Sequence, residues 1–454
     1  MKRKQLKLYV KIFFAIAIIL IVFFLAPKIK EYFIKKSIEK QILGVSDDSK
    51  IVEVSDTAST TPEVKASHVT VPAQVKAVYM SAWVASGATT RAKIIDMIDK
   101  TEANAIVIDV KDYTGKISFE PKSETLTEAG CFENKIKDID ALIEELHAKN
   151  IYVIGRVATF QDPCMVSKKP TWSVQNKNGG VWKDRKAITW LDASNKNSWP
   201  YFADLAKETY DRGFDEVNFD YIRFPTDGDM AAMRFSGLAS STKTHAIRDF
   251  LKYIDQELRG GLGANYVAPK IVKAVKPVKG AATPSLTIAS TTPEIIVPFA
   301  TSSIGSKIYN IPEFNAPKNR VMISADVFGL VTEASDDMGI GQTFEDMLPY
   351  LDYMSPMVYP SHYAKGYSGY PKPATEPYNV VYKAMSRGVE RAQRMGQDPL
   401  KLRPWLQDFN LGATYTPAMV SAQIKAVNDS KLDSFLLWDP ANRYTSGSVA
   451  LKIR

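Results

Sequence analysis

The chain has 454 residues, 45% apolar and 24% charged, close to globular averages, so wholesale disorder and fibrous architecture are excluded. Its formal charge of +8 sits at one end: residues 1–40 hold ten Lys/Arg and two acids, leaving 48 of the 58 bases and 48 of the 50 acids for the rest. A neutral globular part offers no phosphate-tracking field, which excludes a nucleic-acid binder.

At the N-terminus a basic stretch, MKRKQLKLYVK, precedes fifteen uninterrupted apolar residues, 12–26 (IFFAIAIILIVFFLA). With residues 8–10 added and Lys11 able to snorkel, the segment reaches the length that crosses a hydrocarbon core of about 30 Å. A cleaved signal peptide would need a small-x-small site after its apolar region. The chain instead continues Pro27-Lys28-Ile29-Lys30, so an uncleaved single-pass membrane anchor is expected. Residues 1–43 then comprise a basic cytoplasmic tail, the anchor and a charged juxtamembrane segment. Residues 44–71, rich in Ser, Thr and Asp and free of aromatics, predict a disordered tether.

The body, residues 72–454, alternates apolar β-branched runs with helical patterns. Strands are expected over 75–84, 105–110, 151–158, 216–224, 321–330, 353–359, 402–407 and 435–438. Several read as continuous apolar runs, as strands do when both faces are buried. Helices are expected over 92–102, 138–149, 199–212, 245–258, 344–351, 378–395 and 417–429. Eight such units predict an α/β fold, the closed (β/α)₈ barrel. The alternative, a doubly wound open sheet, lacks its Gly-x-Gly-x-x-Gly after the first strand. Residues 260–319, rich in Pro, Ser, Thr and Ala, are expected to form a flexible insertion between the fourth helix and fifth strand, away from the catalytic face.

In a barrel the polar residues at the C-terminal strand ends make the site. Those ends carry Trp83; Asp109 and Asp112; Arg156; Asp220, Tyr221 and Arg223; Asp326; Tyr359; Trp405, Gln407 and Asp408; and Trp438 and Asp439. A carboxylate in an apolar strand is costly to bury without a partner, so acids on several strand ends suggest a convergent acidic centre. Alternation places Asn218, Asp220 and Ile222 on one face. Each acid also has a structural reading. Asp109 could cap a turn or pair with Arg156, and Asp220 could bridge to a barrel arginine. Asp326 could support Asp220, and Asp439 could start the terminal turn. Arg156 and Arg223 suit the orientation of carboxylates or substrate hydroxyls.

Two carboxyl groups facing one site suit glycosidic bond cleavage, one donating a proton and the other attacking the anomeric carbon or activating water. Trp172, Trp182, Trp190 and Trp199 crowd the stretch after the third strand, and such rings either stack on sugars or fill the core. No zinc spacing, Gly-x-Ser-x-Gly elbow or P-loop is present, and Asp227-Gly-Asp229 is too short for a calcium loop, so neither metal nor cofactor is expected. Cys131 and Cys164 fall on neighbouring loops of one barrel face. A disulfide would agree with a body outside the cytoplasm, and two buried free thiols are the alternative.

The segment GFDEVNFDYIRFP (213–225) resembles a bacterial family of glycoside hydrolases that was formerly a domain of unknown function. VIDVKDYTG (107–115), ISADVFG (323–329), YMSPMVYPSHY (353–363) and LLWDPANRY (436–444) support the resemblance, which spans about residues 75–444 without the insertion. The family is similar to barrel glycosidases distantly related to the α-amylase and α-galactosidase groups. In those groups the nucleophilic Asp ends the fourth strand, a position that falls on Asp220. The acid/base ends the fifth or sixth strand; Asp326 ends the fifth, whereas the sixth offers Tyr359 and no acid. Asp at 326 departs from the Glu usual in amylase relatives.

The resulting expectation is a membrane-anchored, extracytoplasmic glycoside hydrolase acting on a polysaccharide or oligosaccharide, with Asp220 as nucleophile and Asp326 as acid/base. Trp83, Asp109, Asp112, Arg156, Tyr221, Arg223, Tyr359, Trp405, Gln407, Trp438 and Asp439 are expected to contact substrate. The alternative is a carbohydrate-binding wall protein that keeps the barrel and aromatic cleft without catalysis.

Overall fold

The computed structural model describes residues 67–260, 299–304, 307–312 and 320–454. The expected anchor, residues 44–66 of the expected tether and most of the 260–319 insertion lie outside these residues. Residues 67–71, expected to belong to the disordered tether, instead pack on the barrel: Val69 N–H donates to Asp215 Oδ1 at 2.7 Å and the His68 ring stacks on Tyr210. Among the described residues no helix is long and apolar enough to cross a membrane.

Eight parallel strands close into a barrel: β1 (Lys76–Met80), β2 (Ala105–Lys111), β3 (Tyr152–Ala158), β4 (Glu216–Asp220), β5 (Met322–Phe328), β6 (Tyr353–Met357), β7 (Trp405–Gln407) and β8 (Phe435–Trp438). Each strand pairs with its sequence neighbours, and β1 pairs with β8 to close the ring. The main outer helices are α1 (Ala88–Lys100), α2 (Ile139–Ala148), α3 (Trp199–Asp211), α4 (Lys243–Arg259), α5 (Phe344–Met347), α6 (Pro377–Arg394) and α7 (Pro417–Asp429). Within the insertion, Phe299–Ile304 and Lys307–Pro312 pair as an antiparallel ribbon, where the composition predicts a flexible segment.

Strand alternation divides the apolar residues into two cores. Val217 and Phe219 of β4 face outward into the layer shared with the helices, where Phe250 of α4 meets Phe160, Trp199, Phe202 and Phe219. Ala77, Val107, Ile154 and Leu436 instead form a smaller cluster inside the barrel with Tyr79, Tyr152, Trp405 and Tyr359.

The interior also holds a charged pair that is fully shielded from solvent. Arg403 donates from Nη1 to Glu216 Oε2 at 3.1 Å and from Nη2 to Oε1, while its guanidinium lies 4.2 Å from the Tyr353 ring centre. Tyr152 and Ser324 also donate to Glu216, and Asn218 links Ser324 to Asp326 with two 3.0 Å bonds. A polar column therefore runs from the barrel floor to the C-terminal mouth.

The expected strands are all present, but several are shorter. β1 stops at Met80 because the Ser81 side chain caps a helical turn, Ala82–Ala85. β4 stops at Asp220 because Tyr221 adopts φ 51°, the left-handed region. Ile222 consequently leaves the Asn218–Asp220 face and joins the outer core, which corrects the expected alternation. Cys131 and Cys164 are joined in a disulfide across 5.7 Å of Cα separation. Beside it Lys111, the buried last residue of β2, lies 3.0 Å from Asp162.

Replacing Arg403 with Met would leave Glu216 as a buried charge with only neutral donors. A loss of about 3–5 kcal/mol is expected in urea unfolding, with partial recovery when Glu216→Gln is added. A loss below about 1 kcal/mol would show that the pair contributes little to stability.

Candidate active site

β4 carries Glu216, Asn218 and Asp220 inward, and β5 carries Ser324 and Asp326 inward beside it. The two strands are direct neighbours, so Asp220 and Asp326 reach the same mouth by pleat geometry alone. Both line a cavity of about 340 Å³ at the C-terminal end of the barrel. Arg156, Tyr221, Arg223, Tyr359, Trp405 and Trp438 line it too.

Arg156, at the end of β3, organises the acids. It donates from Nη1 to Asp109 Oδ1 at 2.6 Å, from Nε to Asp220 Oδ2 at 3.1 Å, and from Nη2 to the same Asp220 oxygen. Asp326 Oδ2 stands 3.9 Å from Arg156 Nε. Burial opposes the charge on Arg156, but Asp220 and Asp109 outweigh it and hold the guanidinium well above its ordinary pKa. Tyr79 donates to Asp109 Oδ2 at 2.6 Å and stacks on Trp438 with 4.0 Å between ring centres. The Arg156 guanidinium lies over both rings, at 5.7 and 5.2 Å. Burial raises the pKa of Asp109, against the pull of Arg156.

Asp220 closes its strand under constraint. Its Oδ1 accepts from the backbone N–H of Tyr221 at 2.5 Å, the residue with positive φ. A non-glycine residue in that region beside a cavity acid is the kind of local strain that functional sites hold.

Asp326 is placed differently. Its Oδ1 accepts from Trp405 Nε1 at 2.7 Å and from Asn218 Nδ2 at 3.0 Å. Burial and the nearby charge of Asp220 push its pKa up to about 8. The acid is therefore protonated at neutral pH, and with Oδ1 accepting twice the proton belongs on Oδ2. One cavity thus contains an arginine-bound carboxylate and a carboxylic acid, the separation of environments that acid–base chemistry uses.

Five residues expected to contact substrate do not line the cavity. Trp83 sits on the helical turn after β1, 64% exposed, with Lys135 Nζ 4.8 Å from its ring centre. Asp109 lies behind Arg156, as its pairing alternative foresees. Asp112 pairs with Lys135 at 2.8 Å and accepts from Thr114, contacts that lower its pKa despite burial. Gln407 accepts from Ser361 N–H at 3.2 Å and donates to Phe409 carbonyl at 2.9 Å, fastening two rim loops. Asp439 accepts from the N–H groups of Ala441 and Arg443 and forms the terminal turn.

The cavity also recruits residues outside the polar strand-end set: the apolar Phe328 and Met357, which end β5 and β6, and Leu330, His362 and Tyr363 beyond them. His362 and Tyr363 belong to the YMSPMVYPSHY motif, so the signal existed. His362 ends a short helical turn, Pro360–His362, and Tyr363 caps it, and only packing sets the turn's direction. Burial lowers the pKa of His362, leaving it neutral at pH 7. Trp182 and Trp199 are buried with their indole N–H groups on backbone carbonyls, and Trp190 packs behind Tyr221. Among the described residues no cluster of ligating side chains suits a metal ion.

Residues 77–265 and 313–444 match the profile of a family described as "Putative glycosyl hydrolase domain". No curated protein matches the chain. A hypothetical protein from Ruminiclostridium thermocellum is 38% identical across 40% of this chain and 93% of its own, with a TM-score of 0.38. The glycoside hydrolase domain of PgaB (BpsB) from Bordetella bronchiseptica aligns over 84% of this chain and 100% of its own, at 10% identity and a TM-score of 0.53. An endo-1,4-beta-mannanase from Rhizomucor miehei aligns over 82% and 88%, at 10% identity and a TM-score of 0.45. At 10% identity the likeness to the PgaB domain shows the barrel fold alone.

The charge of Asp220 helps to raise the Asp326 pKa, so Asp220→Asn should move that titration down from about 8, with Arg156 still present to favour the anion. Difference infrared spectroscopy of the carboxylic C=O band across pH 5–9 reads the shift. A titration that stays in place would mean that burial alone sets it.

Proposed function

Because the chain belongs to the DUF4015 family, described as a "Putative glycosyl hydrolase domain", we propose that it is a membrane-anchored, extracytoplasmic glycosidase that retains anomeric configuration. The observation that carries this reading is the pairing in one cavity of Asp220, held by Arg156, with a proton-bearing Asp326.

In the first step Asp326 Oδ2–H gives its proton to the glycosidic oxygen while Asp220 attacks the anomeric carbon and the leaving sugar departs. Arg156 keeps Asp109 as a counter-charge when Asp220 becomes a neutral ester. Loss of the Asp220 charge also removes one of the causes that raise the Asp326 pKa. Asp326 then takes a proton from a water molecule whose oxygen attacks the anomeric carbon, breaking its bond to Asp220 and freeing that carboxylate. Trp405, bonded to Asp326, and Asn218 hold the acid in place through both steps.

The distances admit retention and leave only the short end of the inverting range. Asp220 Oδ2 and Asp326 Oδ2 lie 3.1 and 3.9 Å from the same nitrogen, Arg156 Nε, so they are within about 7 Å of each other. Retaining enzymes place their carboxyl groups about 5–5.5 Å apart and inverting enzymes about 6.5–9.5 Å. Anchoring rests on the apolar run 12–26, and an extracytoplasmic body on its combination with the Cys131–Cys164 disulfide.

Asp220→Asn should abolish hydrolysis of the glycan that the wild type cleaves, with the fold retained by circular dichroism; unchanged turnover would remove the proposal. Asp326→Ala should lower kcat by about 10²–10⁴-fold on ordinary glycosides, and far less on aryl glycosides whose leaving group needs no proton. The rate should fall as pH rises through about 8, where Asp326 loses the proton it must donate. Proton NMR of the first-formed product should show the substrate's anomeric configuration. For topology, protease added to intact cells should digest residues 72–454 from the membrane fraction; full protection would place the body inside.

A further inference from the structure

Arg223 differs from the other arginines that are shielded from solvent. Among the described residues, each of the others that is buried or half-buried, from Arg91 to Arg403, has a carboxylate within ion-pair distance. Arg223 is half-buried in the cavity wall and has none. Its Nη1 donates to the Phe224 carbonyl at 3.1 Å and to Thr226 Oγ1 at 3.4 Å. Nε and Nη2, the two-pronged edge of the guanidinium, have no acceptor among the described residues.

Three rings surround the group instead: Trp190, Phe328 and Tyr221, with centres 4.8, 5.0 and 5.5 Å from Cζ. These contacts fix its orientation, but aromatic faces do not neutralise a cation as a carboxylate does. The carboxylates that act on it do so from beyond ion-pair distance, and both are otherwise engaged. Asp220 is held by Arg156 and Tyr221 N–H, and Asp184 by the N–H groups of Lys186 and Ile188 and by Trp190 Nε1. Burial lowers the pKa of Arg223, the direction expected of a cation short of counter-charge. The wall formed by Phe328, Leu330, Met357, Tyr359 and Tyr363 offers no cation, and the neutral His362 adds none.

We propose that the glycan recognised here is acidic, and that Arg223 pairs with the carboxylate of a uronic acid residue through its Nε/Nη2 edge. The proposal rests on the glycosidase reading of this cavity and extends it to the class of substrate. A planar carboxylate matches the planar fork in a bidentate contact, which a sugar hydroxyl cannot reproduce. The aromatic cage holds the guanidinium ready, so little side-chain entropy is lost when the anion arrives.

The test is calorimetric binding to the full-length Asp220→Asn chain of galacturonate, heparosan and alginate oligosaccharides, alongside the same oligosaccharides with their carboxyl groups reduced to alcohols and sulfated oligosaccharides that contain no uronic acid. At least one uronate oligosaccharide should bind, and carboxyl reduction should weaken it by tenfold or more. Arg223→Gln should cost a similar factor for the acidic form and less than twofold for the reduced form. Arg223→Lys, which keeps the charge without the fork, should fall between wild type and Gln. Equal binding of acidic and reduced forms, preference for the sulfated sugar, indifference to Arg223→Gln, or no binding by any uronate would each overturn the proposal. Hydrolysis by the wild type separates the two readings. Asp220-dependent cleavage of neutral glycans alone would keep the catalytic assignment and defeat this one. Arg223-dependent binding of a uronate that is never cleaved would do the reverse.

Discussion

The mouth of the barrel is organised by one buried guanidinium. Arg156 contributes three N–H donors to Asp109 and Asp220 and brings its Nε to 3.9 Å from Asp326. Three carboxyl groups close together in a shielded space would repel one another and lose hydration. Arg156 makes the gathering tolerable by pairing with two of them, and the third takes a proton instead. The different surroundings of the two cavity acids therefore follow from how one cation is shared.

That arrangement needs a rigid base. Beneath the mouth, Glu216 and Arg403 form a second ion pair inside the barrel, joined through Ser324 and Asn218 to Asp326. A buried pair is weak evidence for stability, since desolvation offsets much of its attraction. Its geometric consequence is clearer. Asn218 is bonded to both Ser324 and Asp326, so the Asp326 carboxyl is oriented from below while Trp405 orients it from the side. Rotation of Asp326 would strand at least one buried donor, a costly state.

The cavity walls differ in character, and the loops explain why. The wall after β4 begins at Tyr221, whose left-handed backbone turns the chain sharply and sets Arg223 among three rings. The walls after β5 and β6 are apolar and aromatic, built from Phe328, Leu330, Met357, Tyr359 and Tyr363. Gln407 and the Cys131–Cys164 disulfide tie other rim loops down. Fixed loops on a closed barrel let residues remote in sequence share one small volume.

Read alone, the sequence points to the barrel, because strands buried on both faces leave continuous apolar runs, and eight of them alternating with helices have few ways to pack. It also made Asp220 and Asp326 legible as acids ending adjacent strands, since period-2 alternation is a local property. Everything that depends on what happens after a strand ends was decided by tertiary structure. Trp83 reads as a strand-end aromatic, yet a Ser81 cap turns it out to solvent. Ile222 reads as facing inward, yet the turn at Tyr221 reverses it. His362 and Tyr363 reach the cavity through a loop whose path no periodicity encodes. Pairing of Asp109 with Arg156 and a bridge from Asp220 to a barrel arginine were open alternatives in the sequence, but that one guanidinium serves both acids, and that Arg223 stands alone, could not be read, because ion pairing is set by distances between strands, while the sequence records only order along one chain.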